Sequence, residues 1–548
     1  MRPSVPFVAV FSLGFVLHAQ DDRGLTALHQ IKVEAFDNSK VMDHLQALAD
    51  RYGPRLTASA EWEEAAQWAM QTMRSWGLSN VHEERWGPFG RSWSLESCNL
   101  DMVSPRYSHL VAYPMAWSSS SNGVETGELL YAPMPVDRDY EKFKAGWNKY
   151  KSQWHGKLKG KIVLVGNAQK WTPSTQAVFR RYTAEDLAGI ANAPAPVVQR
   201  RITIDKVKFP ENDEEANNYF LSLPNALRYE LSDRSRALLF DIGAFFKNEG
   251  VIAVLKDDQR AHDGLVFGEA AGSYKANDVM AAPTFVVTEE QYSRMQRLVE
   301  KKEPVTVRLE LRAKYSDRDV EPANIIAEIP GQKTPDEVVM VGAHFDSWHM
   351  ATGATDNGAG SAVMMEVMRI LKTLHLSLDR TVRIGLWSGE EQGHFGSREY
   401  VKQHFADMKT GEVRAEYAKL DAYLNLDNGS GKIRGVYLEG NDAVRPLFEK
   451  WLAPFRDMGV TAFSLKRTFG TDHQSFDDVG IPGFQFIQDP LDYGSITHHS
   501  DMDTYSHAVQ EDLMQASAVI ATLVYDIAGR DEMVPRKIIV QNGKLPSP

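Results

Sequence analysis

Along residues 25–76, apolar side chains recur at three- and four-residue steps, the period of helices packed on one face. Within 60–73, Trp62, Ala66, Ala69 and Met73 fall near one line, with Trp68 partly on it, and Gly77 supplies a stop signal. Two strand-like runs come next, at 80–84 and 95–103. From 117 to 304 the texture changes to Lys, Pro and short apolar runs. There, 160–166 reads as a buried strand between turns, 238–247 as a helix and 250–255 as the next strand. From 305 onward, strand, loop and helix alternate. The runs 307–312, 324–328, 337–341, 381–387, 420–426 and 483–487 predict strands; 358–374, 395–404, 443–455 and 509–527 predict helices. The run 337–341 is apolar almost throughout, as in a sheet covered on both faces. This rhythm predicts an α/β fold, a three-layer sandwich around a mostly parallel mixed sheet, interrupted by an inserted domain.

The amino terminus has another pattern. Arg2 precedes an apolar run over 5–17, and Ala19 stands before Gln20. That reads as a secretory signal peptide over 1–20, cleaved near 19–20. The run is shorter than the roughly 20 apolar residues of a membrane span. The expected mature protein is therefore secreted or periplasmic, with no membrane partner. Composition then narrows the chemistry. A chain of 548 residues suggests more than one domain, and 43% hydrophobic residues can form a core. With 61 basic and 73 acidic residues, the net charge of −12 argues against nucleic acid as a partner. The single cysteine, Cys98, excludes an internal disulfide and any cysteine-based zinc or iron–sulfur site. A metal here has to be held by histidines and carboxylates.

Ligands of such sheets sit beyond the carboxyl ends of the strands, so the residues just after each strand matter. After 337–341 comes Gly342-Ala-His344-Phe-Asp346-Ser. Before the helix 358–374 comes Thr355-Asp356-Asn357-Gly358-Ala-Gly360. After 381–387 comes Ser-Gly-Glu390-Glu391-Gln-Gly393; after 420–426, Asp427-Asn428. On a longer loop after 483–487 comes His498-His499-Ser-Asp-Met-Asp503-Thr. Any one of these is ordinary; five converging on one sheet edge are not. Several carboxylates packed together without cations repel one another, and divalent metals remove that repulsion. Two His and three carboxylates can hold two zinc ions if one carboxylate bridges, and such pairs of ions activate a shared water. Where one residue of the Glu390–Glu391 pair binds metal, its neighbour can point at that water as a general base. Asp346, two residues beyond His344, suits an acceptor that fixes the imidazole tautomer.

Taken in order, these motifs resemble the dinuclear zinc exopeptidases that include secreted aminopeptidases, glutamate carboxypeptidase and carboxypeptidase Q. The resemblance covers most of 21–115 and 305–530. It implies that His344 and Asp427 bind one zinc, that Glu391 and His499 bind the other, and that Asp356 bridges them. It makes Glu390 the general base and later the acid that protonates the leaving amine. It implies that the Asp356–Asn357 peptide can be cis. The family often has Tyr before the last ligand and Thr after it; here His498 and Ser500 stand there, which is closer to carboxypeptidase Q. Spacing to Asp503 favours His499 as the ligand, and His498 then has either an oxyanion-stabilising role or a structural one. The stretch Tyr52-Gly-Pro-Arg-Leu-Thr57 resembles the amino-terminal loop of carboxypeptidase Q-like members, and the insertion resembles a β-rich protease-associated domain.

The expected layout is a signal peptide 1–20, a zinc peptidase domain 21–116 and 305–530, an inserted protease-associated domain 117–304 and a tail 531–548. The expected function is metallo-exopeptidase action on small peptides, dipeptides foremost, by a metal-activated water. A homodimer stays open. For substrate choice, Asp472 would hold an amine, as in an aminopeptidase, and Arg467 or Arg434 a carboxylate, as in a carboxypeptidase. Two other readings are a non-catalytic binding protein on a peptidase fold and a single-zinc acyltransferase of the glutaminyl cyclase type.

Overall fold

The apolar run at 337–341 lies inside the strand Thr334–His344, which is paired on both sides. The computed structural model describes residues 14–537 except 168–174, 176, 196, 198–201, 259, 261–262 and 317, with 14–23, 213 and 214 described by backbone alone. Alternate side chains of this strand enter opposite layers, as a pleated strand requires. Val339, Val341 and Ala343 meet one layer of helices, Val338 and Met340 the other. Each such buried side chain of Val or Met size contributes about 1.5–3 kcal/mol.

Among the described residues, eight strands form this sheet. Their order is Ser79–Arg85, Ala323–Ile329, Arg380–Trp387, Thr334–His344, Leu420–Asn425, Gly483–Gln488, Ile433–Tyr437 and Ala462–Ser464. The four from Arg380–Trp387 to Gly483–Gln488 run parallel, and antiparallel pairings join them to both flanks. Helices Ala359–Thr373 and Gln510–Ala528 cover one face; Phe395–His404 and His473–Asp477 cover the other. The expected α/β architecture around a mixed sheet is present. The helix expected over 443–455 is not continuous: Arg445–Trp451 gives way to a 3-10 turn over Ala453–Met458. Pro454 lacks an N–H and disfavours helical geometry in the residue before it, so the helix stops there.

The chain leaves the first sheet after Ser79–Arg85 and returns at Ala323–Ile329, and these two strands pair with each other. The described strands between them form a second sheet, ordered Ser108–His109, Trp93–Ser104, Thr306–Tyr315, Glu125–Tyr131, Ile162–Leu164, Ala253–Lys256, Thr284–Val287 and Ala112–Pro114. The long strands Trp93–Ser104 and Thr306–Tyr315 pair along their length, so this second sheet takes in residues before 117 and after 304. The expected tail is also not free at its start. Val534 donates its N–H to Asp421 and is buried, and Lys537 pairs with Asp477. Residues 538–548 of that tail, and 1–13 of the expected signal peptide, lie outside the described residues; 14–20 begin the helix Gly14–Asp37. No helix among the described residues is long and apolar enough to cross a membrane.

Candidate metal centre

The parallel strands end nearly level. His344 lies beside Trp387, Gly342 beside Asn425, and Asn425 beside Gln485. Loops leaving these ends converge on one edge. The structure brings all five expected ligand positions together there. His344 Nε2 lies 3.2 Å from Asp356 Oδ1 and 3.2 Å from Asp427 Oδ1. His499 Nε2 lies 3.3 Å from Asp356 Oδ2 and 3.0 Å from Glu391 Oε2. Asp356 thus turns one oxygen to each imidazole, with Asp427 on one side and Glu391 on the other.

The sequence around each ligand explains its placement. Beneath the site a buried polar chain crosses the sheet. Trp387 Nε1 donates to Tyr423 Oη at 2.7 Å, Tyr423 donates to Asn425 Oδ1, and Asn425 Nδ2 donates to Gln485 Oε1 at 2.8 Å. The chain passes over Gly342, where a Cβ would stand 2.6 Å from Tyr423 Oη and 2.9 Å from Trp387 Nε1. Glycine is required two residues before His344 for that reason. Asp356 precedes a cis peptide to Asn357. Asn357 Nδ2 donates to Leu426 O at 2.9 Å, which ties this turn to the residue before Asp427. Gly360 N donates back to Asn357 Oδ1 at 2.9 Å, and a Cβ on Gly360 would collide with Leu426 O at 2.3 Å.

Carboxylates outside the ligand set hold the loops. Asp503 accepts from Thr355 N at 2.6 Å, from Thr355 Oγ1 at 2.8 Å and from Asp356 N at 3.1 Å. Asp346 has a different task from the expected one. His344 Nδ1 meets the main-chain oxygen of Asp346 at 2.9 Å, whereas its carboxylate stands 3.7 Å away. That carboxylate accepts instead from Thr57 Oγ1 at 2.8 Å and from the N–H groups of Glu390 and Glu391, both at 3.4 Å. The imidazole tautomer is therefore set by the Asp346 backbone, and the Asp346 side chain anchors the Glu-Glu turn. Arg55, from the Tyr52–Thr57 motif, is wholly buried and donates to four carbonyls: Leu48, Phe345, Thr352 and Gly353. It holds the loop between His344 and Asp356 to the amino-terminal helices.

The charge pattern fits cations. Burial and then the charge of Asp356 push the Glu391 carboxyl well above the usual carboxylate range. Burial also raises Glu390, with His344 opposing and Asp427 adding to the rise. Asp503 is pushed up to about 7 by burial and by Asp356. Asp356 Oδ2 and Glu391 Oε1 are buried and take part in no hydrogen bond. Buried carboxylate oxygens without a hydrogen bond are costly when charged unless a cation meets them. Donor atoms of His344, Asp356 and Glu391, and of Asp356, His498 and His499, lie within 4.8 Å of one another. Histidine and carboxylate donors in this arrangement suit zinc.

Other expected residues fare differently. Glu390 is buried, its Oε1 3.0 Å from His394 Nε2. His498 stacks on His499 and is 38% exposed, its Nε2 3.9 Å from Asp356 Oδ2. It touches one carboxylate of the cluster where His499 touches two. Two substrate readings are corrected. Arg467 is buried and bound to Asp477 at 3.1 Å and Asp478 at 3.4 Å. Arg434 is bound to Asp489 at 2.8 Å. Neither guanidinium is free for a substrate carboxylate. Asp472 has no exposed surface and lies among Glu390, His394 and His344. Glu269, from the insertion, was not expected: His499 Nδ1 lies 2.9 Å from its Oε1. No sequence signal marks it, because contact across domains leaves no local period.

Residues 324–524 match the family model described as Peptidase family M28, and that span contains all five expected ligand positions. Carboxypeptidase Q of Bos taurus is 33% identical over 254 residues, 46% of this chain and 51% of that protein. The chain thus matches about half the length of this curated relative. Among solved structures, a peptidase M28 precursor from Shewanella amazonensis covers 94% of this chain and 98% of its own, with a TM-score of 0.64 and 21% identity. The zinc aminopeptidase of Bacillus subtilis covers 90% and 95%, with a TM-score of 0.52 and 18% identity. These two share the fold. The chain is thus similar to peptidases of family M28 and to carboxypeptidase Q.

Proposed function

We propose, taking the family match as premise, that this chain is a secreted zinc metallo-exopeptidase that hydrolyses small peptides, dipeptides foremost. The observation that carries the reading is the placement of Asp356, whose two oxygens face His344 and His499 on opposite sides. In this reading His344 and Asp427 would hold one zinc, Glu391 and His499 would hold the other, and Asp356 would serve both. Zinc bound there supplies Lewis acidity toward the peptide carbonyl and makes water acidic enough to attack near neutral pH. Glu390 takes the proton from the attacking water and delivers it to the leaving amine. The contact with His394 orients its carboxylate. His498, on the exposed side of the cluster, donates to the oxygen that becomes negative in the tetrahedral intermediate. Secretion rests on the apolar run near the amino terminus, and the second sheet is read as a protease-associated domain.

The carboxypeptidase Q match favours attack at the carboxyl end. Dipeptides blocked at one end test this. We expect cleavage with a blocked amino group and a free carboxylate, and none with a free amino group and a carboxamide. The reverse pattern would make the chain an aminopeptidase. Failure to cleave any dipeptide with zinc present would overturn the exopeptidase reading.

A further inference from the structure

The two imidazoles of the site are held in different ways. His344 Nδ1 is fixed by a main-chain oxygen of its own loop, that of Asp346. His499 is fixed by the insertion. With Nε2 directed at Asp356 and Glu391, its Nδ1 lies 2.9 Å from Glu269 Oε1. A neutral imidazole offers a lone pair on one nitrogen only if the other carries the proton, and an acceptor on that other nitrogen fixes the choice. A carboxylate acceptor also makes the imidazole a stronger donor to metal.

The backbone supports the same contact independently. Gly268 N donates to His499 O at 3.1 Å, Phe267 forms a β-bridge with Ser500, and Asp501 N donates to Val266 O at 3.0 Å. Val266 N in turn donates to Asp501 Oδ1 at 3.0 Å. On its other side the segment is tied into the insertion, where Ala116 N donates to Glu269 O at 3.0 Å. Glu269 is thus gripped by the insertion and laid alongside the residues that carry His499, itself in left-handed backbone geometry at φ +60°.

We infer that Glu269 is a positioning residue, supplied by the inserted domain, that fixes the His499 imidazole and so completes one metal position and not the other. The inference rests on the metal assignment proposed above. It makes the insertion a part of the metal centre and not only a neighbour of it.

The test is zinc affinity, read by competition between the full chain and a chromophoric chelator, on wild type, Glu269→Gln and Glu269→Ala. We expect wild type to hold two zinc ions per chain. Glu269→Ala should weaken one of them about 10–100-fold and leave the other unchanged. Glu269→Gln, which keeps an acceptor oxygen but no charge, should show a smaller loss. Two unchanged affinities in Glu269→Ala would overturn the inference and leave the proposed function standing. Equal weakening of both ions would also overturn it, giving Glu269 a general structural role. Fewer than two zinc ions in wild type would overturn the metal assignment itself.

Discussion

Glu390→Gln is expected to lower kcat on a dipeptide by about 10²–10⁴-fold while both zinc ions stay bound. The amide has the shape of the carboxylate, so the turn anchored by Asp346 should keep its form. What is lost is the basic oxygen that receives the proton of the attacking water. Glu390 is 8% exposed, so no bulk water can easily stand in for it. A thousandfold loss corresponds to about 4 kcal/mol of transition-state stabilisation. KM should change little, because the reading gives Glu390 no part in holding the ground-state substrate. Glu391→Gln is the informative comparison. One residue away, it should lose metal as well as turnover, since Glu391 Oε2 faces His499 and its Oε1 is otherwise unpaired. Turnover undiminished in Glu390→Gln, measured with zinc content confirmed, would contradict the assignment of the base.

Asp356→Ala is expected to remove both metals, and with them all measurable hydrolysis. Each position would keep two protein ligands, His344 with Asp427 and Glu391 with His499. The effect should also reach stability. Zinc held at a hundred times its dissociation constant stabilises a fold by about 2.7 kcal/mol per site. Chelation should therefore lower the thermal midpoint of wild type by several degrees and leave that of Asp356→Ala unmoved. The comparison separates loss of metal from loss of fold, because the Asp503 contacts to Thr355 do not involve the Asp356 side chain. A variant that still binds two zinc ions would contradict a shared Asp356.

Much of this site is legible in the sequence because the fold delivers it through short local motifs. Parallel strands end level, so a His or carboxylate just after each strand reaches one edge. The expected positions His344, Glu391 and Asp427 follow that rule, whereas Asp356 precedes a helix and His499 sits on a longer loop, and the strand and helix runs from 305 onward largely match the structure. What escaped is what local patterns do not encode. Asp346 was expected to act through its side chain on His344; its main chain does so, and the carboxylate serves Thr57 and the Glu-Glu turn instead. Arg467 and Arg434 looked available because Asp477, Asp478 and Asp489 are brought to them only by folding. The second sheet was not legible as a unit because Trp93–Ser104 and Thr306–Tyr315 are separated by some two hundred residues and declare their pairing only in space. Glu269 is the sharpest case: a single acidic residue in another domain, touching the site through one imidazole nitrogen.

The most direct test of the account is the zinc content of the purified chain, measured by elemental analysis beside dipeptide hydrolysis before chelation, after it and after zinc is restored. The account predicts two zinc ions per chain and activity that disappears with the metal and returns with it. About one zinc per chain, no zinc at all, or hydrolysis that persists in the metal-free chain would contradict it.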